Sequence, residues 1–433
     1  MTLNIEEIIN FISKILYIVL KNEISIDKAF QRVKARWRNL ESFKVYYDIA
    51  QSVVREYYKL KYISKRLFNS ESCKDIVRTW LIVEGFKYFK KRDIVEKYVK
   101  KLFKKRGLKI ENLESYVLDM IEELKYVDYA QYLSIKYSYP IEFVKTLLEL
   151  LHPNDVEKIL ESMNSQVVWL RVNTLKIDVD KCIKILESQG LRVEVDRDIP
   201  YLLRVVEARR PVHHVEAVRQ FLAIPQDKAS ILTVHALDPQ PGDYILDLCA
   251  APGMKTSLMM QITENRVHVV AVDISRDRLR NMVYILKRCG VDIDRVDIVL
   301  GDSKILKFRK HVDKILIDAP CSSSGAIGKD PAIKIALRGL KRLRWYVDIQ
   351  YGLVKNVVEQ FKDIEIIYAT CSLLPQEGEE IIEKIYENYS IDIVRPRISA
   401  SYGYSKYRIF NKVCRTFPHL DMCEGFFISK IVC

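Results

Sequence analysis

The chain has 433 residues, of which 49% are hydrophobic and 29% charged, so it can form two or three domains with buried cores and is not mainly disordered. Its net charge of +13 favours polyanionic partners such as nucleic acid, although a membrane surface is also compatible with that charge. Nine scattered cysteines without a CxxC pair argue against a disulfide framework and against a zinc site, so no metal is expected.

The first 23 residues place apolar side chains at helical spacing and interrupt them with Lys14. This pattern predicts neither a signal peptide nor a membrane-spanning helix. An odd number of scattered thiols also suits a reducing compartment. We therefore expect a cytoplasmic protein that does not bind membranes.

Residues 1 to about 165 predict one helix after another, because apolar residues recur every three to four positions and glycine is scarce. This region contains one strongly basic stretch, formed by Lys100, Lys101, Lys104, Lys105, Arg106 and Lys109. Contact with RNA and a solvated helix face, favoured by the helix dipole, are equally good interpretations of these charges.

From about residue 166 the pattern predicts a small β-α-β-β unit. Its strands are VVWLRVNT, LRVEVD and YLLRVVE, and its helix ends at Gly190. Arg171 and Asn173 of the first strand can lie beside an RNA backbone, or they can be an edge charge and a turn former.

After Pro225 short apolar runs alternate with helical segments. The runs are YILDLC, VHVVAVD, VDIVLGD, KILIDAP and IEIIYAT, with helices predicted around residues 256–263, 276–289 and 342–361. The simplest architecture is a mainly parallel, doubly wound α/β sheet. Ligands bind such sheets at the carboxyl ends of the strands.

The segment DLCAAPGMKT, residues 247–256, leads from a strand into a helix, and its small residues let a ligand approach the helix N-terminus. It is neither a Walker loop nor a full GxGxxG motif. Asp273 ends the next strand, where a carboxylate can accept bonds from two ribose hydroxyls. Asp302 follows the third strand, where it can bind an adenine amino group or cap a helix. Together these features predict an adenosine-bearing cofactor.

Two cysteines occupy polar turns at strand ends, in DAPCSSSG (Cys321) and YATCS (Cys371), which does not fit the usual small buried cysteine. A thiolate that adds to carbon 6 of cytosine makes carbon 5 able to attack a methyl group. Asp318 can share a proton with N3 of that ring, or it can be a cap or bind the amino end of the cofactor. Cys321 or a nearby water can remove the proton from carbon 5. The spacing leaves open which cysteine attacks.

The motifs DLCAAPGMKT, VDIS, LGD, DAPCSSSG and YATCS, in this order, resemble the Sun (Fmu-type) family of RNA cytosine-5 methyltransferases. The segments WLRVNTLK, IPQDKAS, IGKDPAIK and RTFPHLDMCEGFFISKI extend the resemblance over roughly residues 125–433. The resemblance implies a Rossmann-like fold, S-adenosylmethionine as cofactor and RNA, either rRNA or tRNA, as partner.

Residue by residue, the resemblance implies that Cys371 is the nucleophile and that Cys321 assists product release, with Lys255 and Asp318 as further catalytic groups. Lys255 can also face the target base. Cofactor binding is implied for Cys249, Ala250, Ala251, Pro252, Gly253, Met254, Lys255, Asp273, Arg278, Asp302 and Asp318. Met254 replaces a second glycine that is usual in this family. Methionine tolerates positive φ poorly, so we expect it to be accommodated if the chain is already helical at that position.

We predict three domains: a helical domain over residues 1–125 that weakly resembles the NusB-like RNA-binding domain, a helical linker with a small α+β RNA-binding subdomain over 126–220, and the methyltransferase domain over 221–433. The absence of a long heptad pattern predicts a monomer. A catalytically silent RNA-binding or ribosome-assembly factor is an alternative function, which the complete set of motif residues disfavours. A methyltransferase acting on DNA or protein would have no use for the second cysteine or the basic N-terminal region.

Overall fold

The computed structural model describes residues 5–35, 37, 43–89, 92–106, 113–309 and 311–433. These residues form two compact units. The first contains the described part of Met1–Ser165 together with Ile327–Arg342, and the second contains Gln166–Ala326 and Leu343–Cys433. The chain therefore leaves the second unit after Ala326 and re-enters it at Leu343. No helix among the described ranges is both long and apolar enough to cross a bilayer.

The helices, in chain order, are α1 Ile5–Asn22, α2 Ile26–Lys34, α3 Phe43–Arg55, α4 Tyr57–Phe68, α5 Cys73–Val83, α6 Arg92–Arg106, α7 Leu113–Glu122, α8 Leu124–Val127, α9 Tyr129–Tyr137, α10 Ile141–Leu148, α11 Pro153–Ser162, α12 Val179–Ser188, α13 Glu216–Arg219, α14 Lys228–Leu237, α15 Met254–Ile262, α16 Arg276–Cys289, α17 Ala332–Ala336, α18 Leu343–Val358, α19 Glu379–Asn388 and α20 Pro418–Asp421.

The strands are β1 Trp169–Val172, β2 Leu191–Val195, β3 Leu202–Ala208, β4 Ala223–Pro225, β5 Tyr244–Asp247, β6 His268–Asp273, β7 Val296–Leu300, β8 Lys314–Asp318, β9 Glu365–Thr370, β10 Asp392–Val394, β11 Ser401–Tyr402, β12 Cys414–Thr416 and β13 Phe426–Val432.

All the regular secondary structure that is described in the first unit is helical, which confirms the prediction for residues 1–165. Side-chain caps start several of its helices: Ser25, Ser72 and Asp128 each accept a hydrogen bond from a backbone N–H of the following turn. Its core forms around Phe11, whose ring makes edge-on contacts with neighbouring aromatic rings.

The predicted basic stretch lies on and after α6. Lys100, Lys101 and Lys104 are exposed along this helix, as an interaction surface for RNA or a solvated face would both require. The side chains of Lys105 and Arg106 and the whole of Lys109 lie outside the described residues.

The segment Ile327–Arg342 packs within the helical unit, and Lys334 holds it there. The fully buried Lys334 ammonium donates to the carbonyl oxygens of Arg55 (3.0 Å) and Tyr137 (3.1 Å) and to Oδ1 of Asn164 (2.6 Å). It also lies 3.9 Å from the centroid of the Tyr139 ring. Burial lowers the pKa of Lys334 to about 7.

The second unit begins with a four-stranded antiparallel sheet in the order β2-β3-β1-β4. The predicted β-α-β-β unit is confirmed, and β4 is an additional strand. Arg171 and Asn173 are fully buried: Arg171 donates to Oγ of Ser257 (2.8 Å), and Asn173 donates to the carbonyl oxygens of Phe221 and Cys289. The interpretation that these two residues lie beside an RNA backbone is therefore wrong.

The larger sheet has nine strands in the order β11-β12-β13-β9-β8-β5-β6-β7, with β10 paired to β13. Strands β5 to β9 are parallel to one another, and β10 to β13 are antiparallel additions. Neighbouring residues of β5 face opposite cores, since Ile245 packs with α14 to α16 and Leu246 packs with α18 and α19. Helices thus cover both faces, and the predicted doubly wound α/β fold is confirmed.

Candidate active site

Four carboxylates line one edge of the larger sheet. Asp318, Asp247 and Asp273 are the last residues of β8, β5 and β6, and Asp302 follows the end of β7 by two positions. Because β8, β5, β6 and β7 are consecutive neighbours in the sheet, their carboxyl ends meet along this edge. This is the edge at which ligands bind in doubly wound folds.

The loop between β5 and α15 has one position that suits only glycine. Gly253 has φ +94°, and a Cβ placed on it would lie 2.7 Å from Cγ of Met282. Met254 is the first residue of α15, so the positive φ falls entirely on Gly253. The condition for accommodating Met254, a chain that is already helical at that position, is therefore met. Next to them, Ala250 and Ala251 are buried and Pro252 is exposed.

Asp273 connects this loop to the end of β6. Its carboxylate accepts hydrogen bonds from the backbone N–H of Ser275 (2.9 Å) and of Ala251 (3.3 Å), and it pairs with the Arg278 guanidinium (3.3 Å). Arg278 also donates to the Ala251 carbonyl. A carboxylate has about four acceptor sites, so capacity remains for a ligand hydroxyl. Ile274, which sequence reasoning missed, is 68% exposed beside it and offers an apolar contact.

Asp302 and Cys249, which were predicted to bind the cofactor, and Asp247, which was not, also lie at this edge. Asp247 is fully buried and accepts a hydrogen bond from Oγ1 of Thr256 (2.8 Å), and burial raises its pKa to about 7. Asp302 accepts a hydrogen bond from the backbone N–H of Lys304 (3.0 Å), as a cap would. Burial raises the pKa of the Cys249 thiol well above its usual value, so this thiol is unreactive near neutral pH.

Lys255 and Asp318 form an ion pair at the centre of the edge, with 2.5 Å between Nζ and Oδ2. Burial alone would lower the pKa of Lys255, but the charge and hydrogen bond of Asp318 and the charge of Cys371 raise it. The ammonium also lies 5.7 Å from the ring centroid of Phe426 on β13. The pair therefore holds a proton close to Cys371.

The two predicted cysteines meet although 49 residues separate them in the sequence. Sγ of Cys321 lies 3.1 Å from Sγ of Cys371, and Cys371 donates to Oγ of Ser323 (3.5 Å). The backbone of the two turns is joined by a hydrogen bond from the Gly325 N–H to the Cys371 carbonyl (3.0 Å). The hydrogen bond with Cys371 and burial raise the pKa of Cys321 well above its usual value. Cys321 is thus held as a thiol beside Cys371.

Glu377 belongs to the same site and was not predicted from the sequence. It is fully buried, and its carboxylate accepts hydrogen bonds from Ser322, which follows Cys321, and from Ser372, which follows Cys371. In the sequence it lies in PQEGEE, a run of acidic residues before a helix, which predicts a solvated helix start. The only feature of the sequence that could have indicated a role in the site is its position six residues after Cys371.

Comparison with known protein families matches two stretches of the chain. Residues 234–432 match the family "16S rRNA methyltransferase RsmB/F". Residues 142–213 match the ferredoxin-like domain described as "Methyltr_RsmF/B-like". The second match includes β1 to β3, and the first includes both cysteines and the carboxylate edge.

Named relatives are similar over much of the chain. The 26S rRNA (cytosine-C(5))-methyltransferase nsun-1 of Caenorhabditis elegans is 30% identical, over 76% of this chain and 50% of the relative. The ribosomal RNA small subunit methyltransferase B of Yersinia enterocolitica is 28% identical, over 66% of this chain and 64% of the relative. The chain spans between 38% and 64% of the length of these and similar relatives.

Two solved structures share the fold. The structure of PH0851 has a TM-score of 0.75 at 22% identity and covers 98% of this chain and 99% of its own. A methyltransferase homologue from Pyrococcus horikoshii has a TM-score of 0.60 at 26% identity and covers 70% of this chain and 98% of its own. A third neighbour, NSun6 from P. horikoshii, was solved with SFG and has a TM-score of 0.58 at 23% identity.

Proposed function

The chain belongs to the RsmB/F (Sun) family of RNA methyltransferases, and from this premise we propose that it transfers a methyl group from S-adenosylmethionine to carbon 5 of a cytosine in RNA. The observation that carries this proposal is the contact of the two cysteines at 3.1 Å beside the Lys255–Asp318 ion pair. A thiol nucleophile, a second thiol and a proton-holding pair are the groups that this chemistry needs.

The loop after β5 fits the cofactor. The positive φ of Gly253 turns the chain directly into the N-terminus of α15, where backbone N–H groups can bind a ligand, and Asp273 retains acceptor capacity for a ribose hydroxyl. We assign cofactor binding to residues 249–255, Asp273, Arg278, Asp302 and Asp318. When bound, S-adenosylmethionine supplies an electrophilic methyl group.

The residues of the chain would act in order. The Cys371 thiolate forms a bond from Sγ to carbon 6 of cytosine, while the Lys255–Asp318 pair gives a proton to N3. The electron pair then available at carbon 5 would bond to the methyl carbon while the bond from that carbon to the sulfonium sulfur of the donor breaks, which leaves a neutral thioether as the second product. A base then removes the proton from carbon 5: either Cys321, after its own proton has passed to solvent, or a water beside it. N3 returns its proton to the Lys255–Asp318 pair as the Sγ–carbon 6 bond breaks, which restores the thiolate of Cys371. Cys321 is thus assigned to product release.

The names of the relatives favour ribosomal RNA as substrate over transfer RNA. We test the function by bisulfite sequencing of total RNA from cells with and without the gene. One cytosine should be protected only when the gene is present, and its position identifies the RNA. If no cytosine changes while the protein still binds RNA, the catalytically silent RNA-binding factor is the correct alternative.

We assign RNA binding to residues 1–125 and 126–220 and catalysis to residues 221–433, and we propose that the protein is a cytoplasmic monomer.

If Lys and Arg provide the affinity for RNA, the dissociation constant for RNA should rise at least about tenfold between 50 and 200 mM salt. Binding releases cations from the RNA phosphates, and this release becomes less favourable as the salt concentration rises. Changing Lys100, Lys101 and Lys104 to glutamine should reduce the slope. Filter binding at several salt concentrations measures both effects, and a flat profile would return these lysines to the solvated-face interpretation.

Replacing Gly253 with alanine should weaken cofactor binding about tenfold or more, because the backbone must change φ or displace Met282. Gly242→Ala is a matched control: its φ is +97°, but nothing lies within 4 Å of the added Cβ. Calorimetric titration with S-adenosylmethionine should therefore give the wild-type affinity for Gly242→Ala. Equal affinity in both variants would contradict the placement of the cofactor at this loop.

A further inference from the structure

The carboxylate of Glu377 is a junction between the two cysteine turns. Its Oε1 accepts hydrogen bonds from the Ser322 N–H (2.8 Å) and from Nε2 of Gln350 (3.1 Å). Its Oε2 accepts hydrogen bonds from the hydroxyls of Ser322 (2.5 Å) and Ser372 (2.6 Å). Ser322 and Ser372 directly follow Cys321 and Cys371, so one side chain connects both turns.

The position of Glu377 is itself fixed. Its carbonyl oxygen accepts hydrogen bonds from the hydroxyl of Tyr368 (2.9 Å) and from Oγ1 of Thr370 (3.0 Å), both on β9. Gln350, on α18, donates not only to Glu377 but also to the carbonyl of Pro320 (2.9 Å), the residue before Cys321. Strand β9 and helix α18 therefore fix the position of Glu377, and its carboxylate joins the two cysteine turns.

The negative charge of this carboxylate acts on Cys321. The hydrogen bond with Cys371, burial, the charge of Cys371 and, as a smaller contribution, the charge of Glu377 raise the pKa of Cys321. Tyr368 is a further ionisable group near Cys321. On the other side, the charge of Cys371 raises the pKa of Lys255, which shows that a cation faces Cys371. The anion near Cys321 favours a proton on that thiol, and the Lys255 ammonium lies on the side of Cys371.

We propose that Glu377 is a positioning residue: its carboxylate joins the turn of Cys321 to the turn of Cys371 and keeps the proton of the pair on Cys321 while Cys371 attacks. This inference rests on the proposed function and deepens it. Glu377 acts through its hydrogen bonds to Ser322, Gln350 and Ser372 and not by direct contact with the reacting atoms. No covalent bond of Glu377 changes during the reaction.

The variants Glu377→Gln and Glu377→Ala separate the charge from the connection. A glutamine keeps the shape, and its amide nitrogen can donate to the two hydroxyls that now donate to Oε2. Alanine removes the connection. We expect Glu377→Ala to lower kcat for methyl transfer about 100-fold or more, because small displacements of reacting groups have effects of this size. We expect less than a tenfold decrease for Glu377→Gln and an unchanged dissociation constant for S-adenosylmethionine in both.

A pH profile distinguishes this role from a merely structural one. In a Cys371→Ala background, the rate of iodoacetamide alkylation at Cys321 is measured by mass spectrometry of the peptide across pH 7 to 11. Loss of the negative charge in Glu377→Gln should move the profile to lower pH, because an anion near the thiol disfavours its ionisation. Glu380→Gln is the matched control, because Glu380 is exposed three residues away, and its profile should not move.

An unchanged alkylation profile in Glu377→Gln would overturn the inference, even if Glu377→Ala fails to fold. The alkylation experiment needs neither RNA nor cofactor, so it also stands apart from the proposed function. If the wild-type protein transfers no methyl group, the proposed function is refuted, but the inference about Glu377 is not. A normal methyl transfer rate in both Glu377 variants would overturn the inference alone.

Discussion

Cys371→Ala is expected to abolish methyl transfer, with a decrease in rate of at least about 10⁴-fold, because carbon 5 of cytosine stays unreactive without the bond from Sγ to carbon 6. Transfer of radiolabelled methyl groups to RNA measures the effect. Cofactor affinity and thermal stability should be close to wild type, since the half-buried Cys371 side chain is small and is replaced by a smaller apolar one.

Cys73→Ala provides the comparison for this variant. Cys73 is also a half-buried free thiol, but it lies in the helical unit at the start of α5. Its replacement should leave the rate of methyl transfer unchanged. Full turnover by Cys371→Ala would refute the assignment of the nucleophile.

Cys321→Ala is expected to accumulate a covalent protein–RNA adduct. Addition and methylation can proceed through Cys371, but removal of the carbon 5 proton slows when the neighbouring thiol at 3.1 Å is absent, so the Sγ–carbon 6 bond persists. A denaturing gel should show a retarded, protease-sensitive band that increases with time.

The double variant Cys321→Ala/Cys371→Ala controls for this result, because it lacks the sulfur that forms the adduct and should give no retarded band. A single Cys321→Ala variant that turns over normally and forms no adduct would exclude the release role. If both variants gave the band, the adduct would involve a different residue.

The parallel part of the larger sheet and the turns at its carboxyl edge could be predicted from the sequence because their signals are local. Apolar runs such as KILID define buried strands, and small residues around Gly253 define the loop at the α15 N-terminus. Cys321 follows the end of β8 by three residues and Cys371 follows the end of β9 by one, so the two cysteines meet once these strands are neighbours.

Features that depend on contacts between residues far apart in the sequence were not predicted. Strand β13 pairs antiparallel with β9, for example Phe427 with Thr370, and no short motif encodes that register. Lys334 reads as a surface lysine in IGKDPAIK, yet three acceptors from distant parts of the helical unit surround it. Arg171 and Glu377 likewise look exposed in sequence because charged residues usually are, and only the fold brings partners to them.

The central claim is that the sulfur of Cys371, and not that of Cys321, bonds to the cytosine ring. The most direct measurement uses RNA that carries 5-fluorocytosine at the target position, since fluorine at carbon 5 cannot leave as a proton does and the adduct is trapped. Mass spectrometry of the digested complex with S-adenosylmethionine should find the methylated nucleotide on the peptide that contains Cys371. A nucleotide attached to Cys321, or no attachment during full consumption of the cofactor, would contradict the claim.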